Sequence, residues 1–223
     1  MNALVIGDNE YEFPLNIKVK DWVKLHKATS NEKLFVAMGM NIPVDEVELL
    51  GEGTLSLMSQ LLKGVLYPNN IKINKQVGEY NLMSLDKLTF GTFIDLEVMF
   101  EDAYSNFADI VNALYEGDVS EFDSSEVIGA IKYYTNWRVM LYSNYKNLFE
   151  IGHVDNEEVE VERSKTNVTR GHMWFDMVMT LGDGKFLNID GVIERPVMEC
   201  FNWLAWNKDR IRKETEAIRQ AQR

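Results

Sequence analysis

Few residues in this chain have the types and spacing that chemistry requires. The three histidines, His26, His153 and His172, are scattered. Glu150-Ile151-Gly152-His153 has the Glu-x-x-His spacing of a di-iron bundle, which needs two such motifs and two further carboxylates. Only one motif is present, and Gly152 places His153 at a helix end, so no metal site is expected. Asp183 and Glu194 stand at positions 1 and 12 of a calcium loop. Lys185 and Leu187 then fill ligand positions, and Asn188 stands where glycine is required, which excludes that reading. No phosphate loop, dinucleotide-binding turn or nucleophile elbow occurs. Cys200 is the only cysteine. It falls among Met198, Phe201 and Trp203 and reads as a small buried hydrophobe without a base to activate it. The expectation is a protein that is not an enzyme and uses neither metal nor cofactor.

The residues best suited to a task are those that make contacts. Pro196 suits the first turn of a helix. After it, Val197, Phe201, Leu204, Ile211 and Ile218 recur at helical spacing, with Lys208 and Thr215 in the same stripe. The first half carries Phe201, Trp203 and Trp206; the second is polar and basic. This form suits docking by the first half and projection by the second. Candidate partner-binding residues are Trp203, Trp206, Lys208, Arg210, Arg212, Lys213 and Arg219. Within that set Trp203 and Trp206, three apart and close to Phe201 and Leu204, are expected to share one side of the helix. Trp203 is expected to be chiefly structural, and the segment beyond Lys208 to make contact.

Charge narrows the partners. The 223 residues carry a formal charge of −12. From Lys208 to Arg223, six basic and three acidic residues leave +3, so residues 1–207 carry −15. Such a field disfavours broad contact with nucleic acid phosphates. The basic tail has two readings: contact with an acidic partner, or a solvated helix end placed favourably against the helix dipole. No stretch approaches the roughly 18 apolar residues of a membrane span. Asp8, Glu10 and Glu12 follow the first apolar residues and argue against a signal peptide. An intracellular setting is the expectation.

The elements that must position these residues follow from periodicity. Ala3–Ile6, a Gly7-Asp8-Asn9 turn and Tyr11–Leu15 read as a β-hairpin. Val19 to His26 suggests a helix. Thr29 and Glu32 have capping-box spacing for the next. Pro43 starts a short turn, and Thr54 is placed to cap a helix through Leu62. Ile71–Asn74 and Tyr80–Met83 are strand candidates, and this element order is compatible with a β-grasp-like module. Thr89 precedes an apolar helix. Asp123 and Glu126 open a long helix through Leu148, expected to stop near Gly152. Asp155–Lys165 is an acidic linker. The fold expected is α+β and predominantly helical, with a small hairpin-containing N-terminal module ahead of a helical region. Its segments are 1–86, a small α+β module; 87–152, helical; 153–168, an acidic linker; and 169–223, C-terminal helices with a projecting basic tail.

Two stretches resemble tailed-phage proteins of the tail-assembly chaperone and baseplate-hub assembly group. One is Leu88-Thr89-Phe90-Gly91-Thr92-Phe93-Ile94-Asp95-Leu96-Glu97, similar to helix starts of the pattern Leu-Thr-x-Gly-x-Phe-x-Asp-Leu. The other is Trp174 to Trp206, with an aromatic helix, a Gly182-Asp183 turn and a Pro196-led helix. The resemblance implies a non-enzymatic morphogenesis protein, a tail or baseplate assembly chaperone that binds other phage structural proteins in the host cytoplasm. The alternative is a permanent virion component such as a connector or tail subunit. Either is compatible with a homo-oligomer.

Overall fold

Among the described residues helices predominate, and the strands form two short hairpins. The structure is a computed structural model that describes residues 3–149 and 166–222, with side chains from 171 onward in the second stretch. The Glu150–His153 motif, the stop at Gly152 and the linker Asp155–Lys165 lie outside the described residues. The fold is α+β, a small N-terminal β-hairpin followed by a predominantly helical region. The chain divides into two units made of non-consecutive stretches: 1–83 with 98–135, and 84–97 with 136–223.

In the first unit, β1 (Ala3–Ile6) pairs antiparallel with β2 (Asn9–Glu12), Ala3 opposite Glu12. Helix α1 (Val19–Ala28) buries Val19, Trp22, Leu25 and Ala28 at helical spacing. It packs on α2 (Glu32–Met40), α4 (Glu52–Leu66) and α6 (Phe107–Leu114), and α3 (Val44–Val47) lies against α2. Trp22 is the hub. Its indole N–H donates to the carbonyl of Leu66 at 3.1 Å, and its ring stacks on Phe107 with centroids 4.2 Å apart. A buried indole with its one donor satisfied contributes its full apolar area at no polar cost.

Three local expectations are corrected. Asn31, not Thr29, caps α2, its side chain accepting from the Leu34 amide. The Thr29 hydroxyl instead donates to the carbonyl of His26 and closes α1. Helix α4 begins at Glu52 behind Gly51, so Thr54 lies within its first turn rather than capping it. Finally, no β-grasp sheet forms: β3 (Gln76–Val77) and β4 (Tyr80–Asn81) pair only with each other among the described residues. Residues 71–74 are not a strand. They cross α7 (Ser124–Asn144) at Gly129, where an added Cβ would overlap the carbonyl oxygen of Lys72.

The second unit holds the first part of α5 (Phe90–Met99), the end of α7, α8 (Lys146–Phe149), α9 (Thr166–Leu181), α10 (Ile189–Ile193) and α11 (Val197–Ala221). Its core is aromatic. The Phe201 ring, fully buried, meets Phe90, Phe93, Tyr145 and Phe149 edge-on at centroid distances of 5.4–5.8 Å. Trp174 closes on Phe93 at 5.4 Å. Edge-to-face packing of this kind adds about 0.5–1.5 kcal/mol per pair beyond area burial.

Helix entry follows one device in both units. Thr89 and Pro196 form an antiparallel bridge, the Phe90 amide donating to Arg195 and the Val197 amide to Leu88. In the first unit Lys18 and Asp123 are bridged likewise, the Val19 amide donating to Phe122 and the Ser124 amide to Ile17. Each bridge satisfies amides that a helix start otherwise leaves without partners.

Candidate functional site

Helix α11 is positioned by its first residues. Pro196 sits at the N-cap in an extended conformation, one residue ahead of the helix, where its lack of an N–H costs nothing. Gly91 lets α5 approach this corner: a Cβ there would stand 3.1 Å from Ile193 Cβ and 3.2 Å from its carbonyl oxygen. The two stretches Leu88–Glu97 and Trp174–Trp206 therefore meet at one corner of one unit.

Beyond the bridge, α11 buries Val197, Cys200, Phe201, Leu204 and Asn207. Asn207 is the last of these. Its side-chain oxygen accepts from the Arg210 guanidinium at 2.9 Å, so the buried amide is hydrogen-bonded within the helix. Every residue from Lys208 to Gln222 is exposed. At about 1.5 Å per residue, the segment from Lys208 to Ala221 is roughly 21 Å long. Isolated helices of that length are marginal in water, so its helicity is propagated from the anchored first half.

The exposed part has two faces. One continues the buried stripe: after Leu204 come Lys208, Ile211, Thr215 and Ile218, with Ile211 50% and Ile218 59% exposed. Beside it, Leu148, Met177, Thr180, Leu204, Asn207, Lys208 and Ile211 line an open cavity of about 250 Å³. Lys208 reaches the carbonyl of Asn147. The other face carries Trp203, 41% exposed, and Trp206, 59% exposed, with ring centroids 6.3 Å apart. Arg210 lies over the Trp206 ring at 5.5 Å and pairs with Glu214. Arg212 pairs with Asp209 across one turn. Lys213 and Arg219 are exposed.

The expectation for Trp203 is therefore corrected. It lies two residues beyond Phe201, and at about 100° per residue it falls nearly opposite to it. Phe201 holds the core, and Trp203 and Trp206 face outward. Exposed tryptophans beside arginines are the residue types that dominate protein interfaces.

Other groups were candidates for chemistry. The Cys200 thiol is buried, and burial pushes its pKa up to about 11, against a smaller opposing pull from Arg195. Little thiolate exists near neutrality. Asp183 pairs with Lys185 at 3.2 Å, and the chain is helical from Ile189 to Ile193, where the calcium-loop spacing would require ligands. Among the described residues, no group of three or more His, Cys, Asp or Glu side chains is placed to hold a metal. Nor is any helix there long and apolar enough to cross a membrane.

One polar cluster was nearly invisible in the sequence. Glu97, buried on α5, accepts a hydrogen bond from Arg138 Nη2 on one oxygen at 2.6 Å, and its other oxygen forms an ion pair with Arg138 Nε at 2.6 Å. The Tyr142 hydroxyl also donates to it at 2.6 Å. Burial first, then the Glu97 charge, holds the Tyr142 pKa well above its ordinary value. The only signal in sequence was the spacing of Arg138 and Tyr142, four apart on a helix. The network joins α5 to the end of α7 by an ion pair and two charge-assisted hydrogen bonds.

No protein-family model, curated protein or solved structure matches this chain.

Proposed function

We propose that this protein is a non-enzymatic assembly factor that works by protein–protein binding through α11, as a chaperone of phage tail or baseplate assembly. The observation that supports it most is the contrast along one helix. Up to Asn207 it is anchored in an aromatic core; beyond, it exposes two isoleucines and a basic surface. A helix that leaves its core halfway and carries its apolar stripe on into solvent offers that stripe to a partner. The phage assignment rests on the resemblance carried by Leu88–Glu97 and Trp174–Trp206. Its partners would be other phage structural proteins, met in the host cytoplasm.

Co-expression with the tail and baseplate proteins of the phage, followed by affinity capture, tests the proposal. Capture of one or more of them by the full chain, and its loss on truncation after Asn207, is the expected result. Equal capture by both forms contradicts a role for α11. Mass spectrometry of purified particles separates a chaperone, absent from them, from a permanent subunit present in fixed ratio.

A further inference from the structure

The exposed half of α11 has a regular seam. Positions alternate by four and three residues: Val197, Phe201, Leu204, Lys208, Ile211, Thr215, Ile218. This is the a/d spacing of a coiled coil, with Phe201, Lys208 and Thr215 at a and Val197, Leu204, Ile211 and Ile218 at d. The first three residues are buried in their own unit; the last four are exposed along the same line. The flanking e positions are Arg212, which pairs with Asp209 at 3.4 Å, and Arg219. The flanking g positions are Asn207, Glu214 and Ala221, and Glu214 is already paired with Arg210 at 3.2 Å.

Charge decides what this seam fits. A second copy in parallel would set Lys208 against Lys208 in the shared core. An antiparallel copy would set Arg212 against Arg219 along the flank. The antiparallel pairing places like charges side by side, and the parallel one sets two lysines in the core, a cost that its flanking Glu214–Arg219 pairs do not remove. A helix with carboxylates along the edge that faces Arg212 and Arg219 meets neither obstacle.

We infer that the segment from Lys208 to Ile218 docks an acidic amphipathic helix of another protein. Its two apolar residues pack over Ile211 and Ile218, and two carboxylates seven residues apart face Arg212 and Arg219. An apolar side chain at the helix end fills the 250 Å³ cavity between Met177, Thr180, Leu204 and Ile211. Further acidic or polar groups face Lys208. This inference rests on the reading of α11 as the binding element and names the chemistry of the partner it binds.

The test uses the full chain and three labelled helical peptides. The first has leucine at a and d and glutamate at e and g; the second has lysine at e and g; the third has glutamate flanks and alanine at a and d. Fluorescence anisotropy should show binding of the first peptide alone, weakened by salt. Arg212→Glu with Arg219→Glu should lower its affinity by at least about tenfold and admit the lysine peptide. Ile211→Asp with Ile218→Asp should abolish binding without changing the melting temperature, because both residues are half exposed. Equal binding of the glutamate and lysine peptides, or binding of neither, overturns the inference. So does a dimer of the full chain that the Ile211→Asp, Ile218→Asp pair dissolves, since a second copy would then cover the seam. If truncation after Asn207 weakens capture of phage proteins while the peptides bind alike, the inference falls and the role of α11 stands. If truncation has no effect, both fall.

Discussion

The Val197 amide donates to the Leu88 carbonyl at 2.9 Å, so α11 and α5 begin from a shared antiparallel bridge. The same corner brings Phe90 and Phe93 onto Phe201 and leaves little room for a side chain at Gly91. The anchor of α11 is thus backbone pairing at its start plus one aromatic hub a turn later. The part of the helix beyond Asn207 is exposed.

Phe201 and Trp203 should separate on substitution. Phe201→Ala opens a cavity in the aromatic core and should cost about 3–5 kcal/mol. That is a large share of a typical stability of about 5–15 kcal/mol. Trp203→Ala removes an exposed ring and should cost under about 1 kcal/mol. Urea denaturation of both variants checks this. Equal losses would place Trp203 in the core.

Gly129→Ala tests the crossing of residues 71–73 over α7. By propensity alone, alanine in place of glycine within a helix should stabilise by about 1 kcal/mol. The Cβ would meet the Lys72 carbonyl, which is backbone and cannot rotate away. A lowered melting temperature is expected; a raised one would show that the crossing is not close.

The Glu97 network predicts a non-additive pair. Arg138→Met leaves a buried carboxylate with less compensation and should cost about 3–5 kcal/mol. Adding Glu97→Leu should recover much of that loss, since an apolar pair removes the buried charge. A double variant no more stable than Arg138→Met would refute a charge-based account.

Cys200 gives a pH dependence. Its folded pKa of about 11 lies above the ordinary 9.0, so folding favours the neutral thiol. That contribution is complete below about pH 9 and is lost as pH rises toward about 11, by on the order of 2–3 kcal/mol. Stability measured across this range should fall more steeply in the natural protein than in Cys200→Ala. Parallel curves would mean the thiol does not titrate with unfolding.

Much of the helical framework was legible because its signal is local. The stripe Val19, Trp22, Leu25 marks α1, and Pro196 marks the start of α11. The Gly7-Asp8 turn marks the first hairpin. Three features were hidden for different reasons. The Leu88–Val197 and Lys18–Asp123 pairings are made by backbone atoms, which leave no side-chain pattern. Residues 71–74 alternate like a strand, but among the described residues no strand pairs with them, and α7 lies beside them. Trp203 and Phe201 are both aromatic, and only the helical angle between them tells which one faces inward. At the candidate site, the basic residues beyond Lys208 were legible from composition. The stripe through Ile211 and Ile218 was legible from spacing; that it is exposed needed the observed end of burial at Asn207.

The most direct measurement is quantitative capture of co-expressed tail and baseplate proteins by the full chain and by a chain ending at Asn207, each first shown to be folded by its melting temperature. Both chains are expected to fold alike, and only the full chain to hold a partner. A truncated chain that captures the same proteins in the same amount would contradict the binding role of α11.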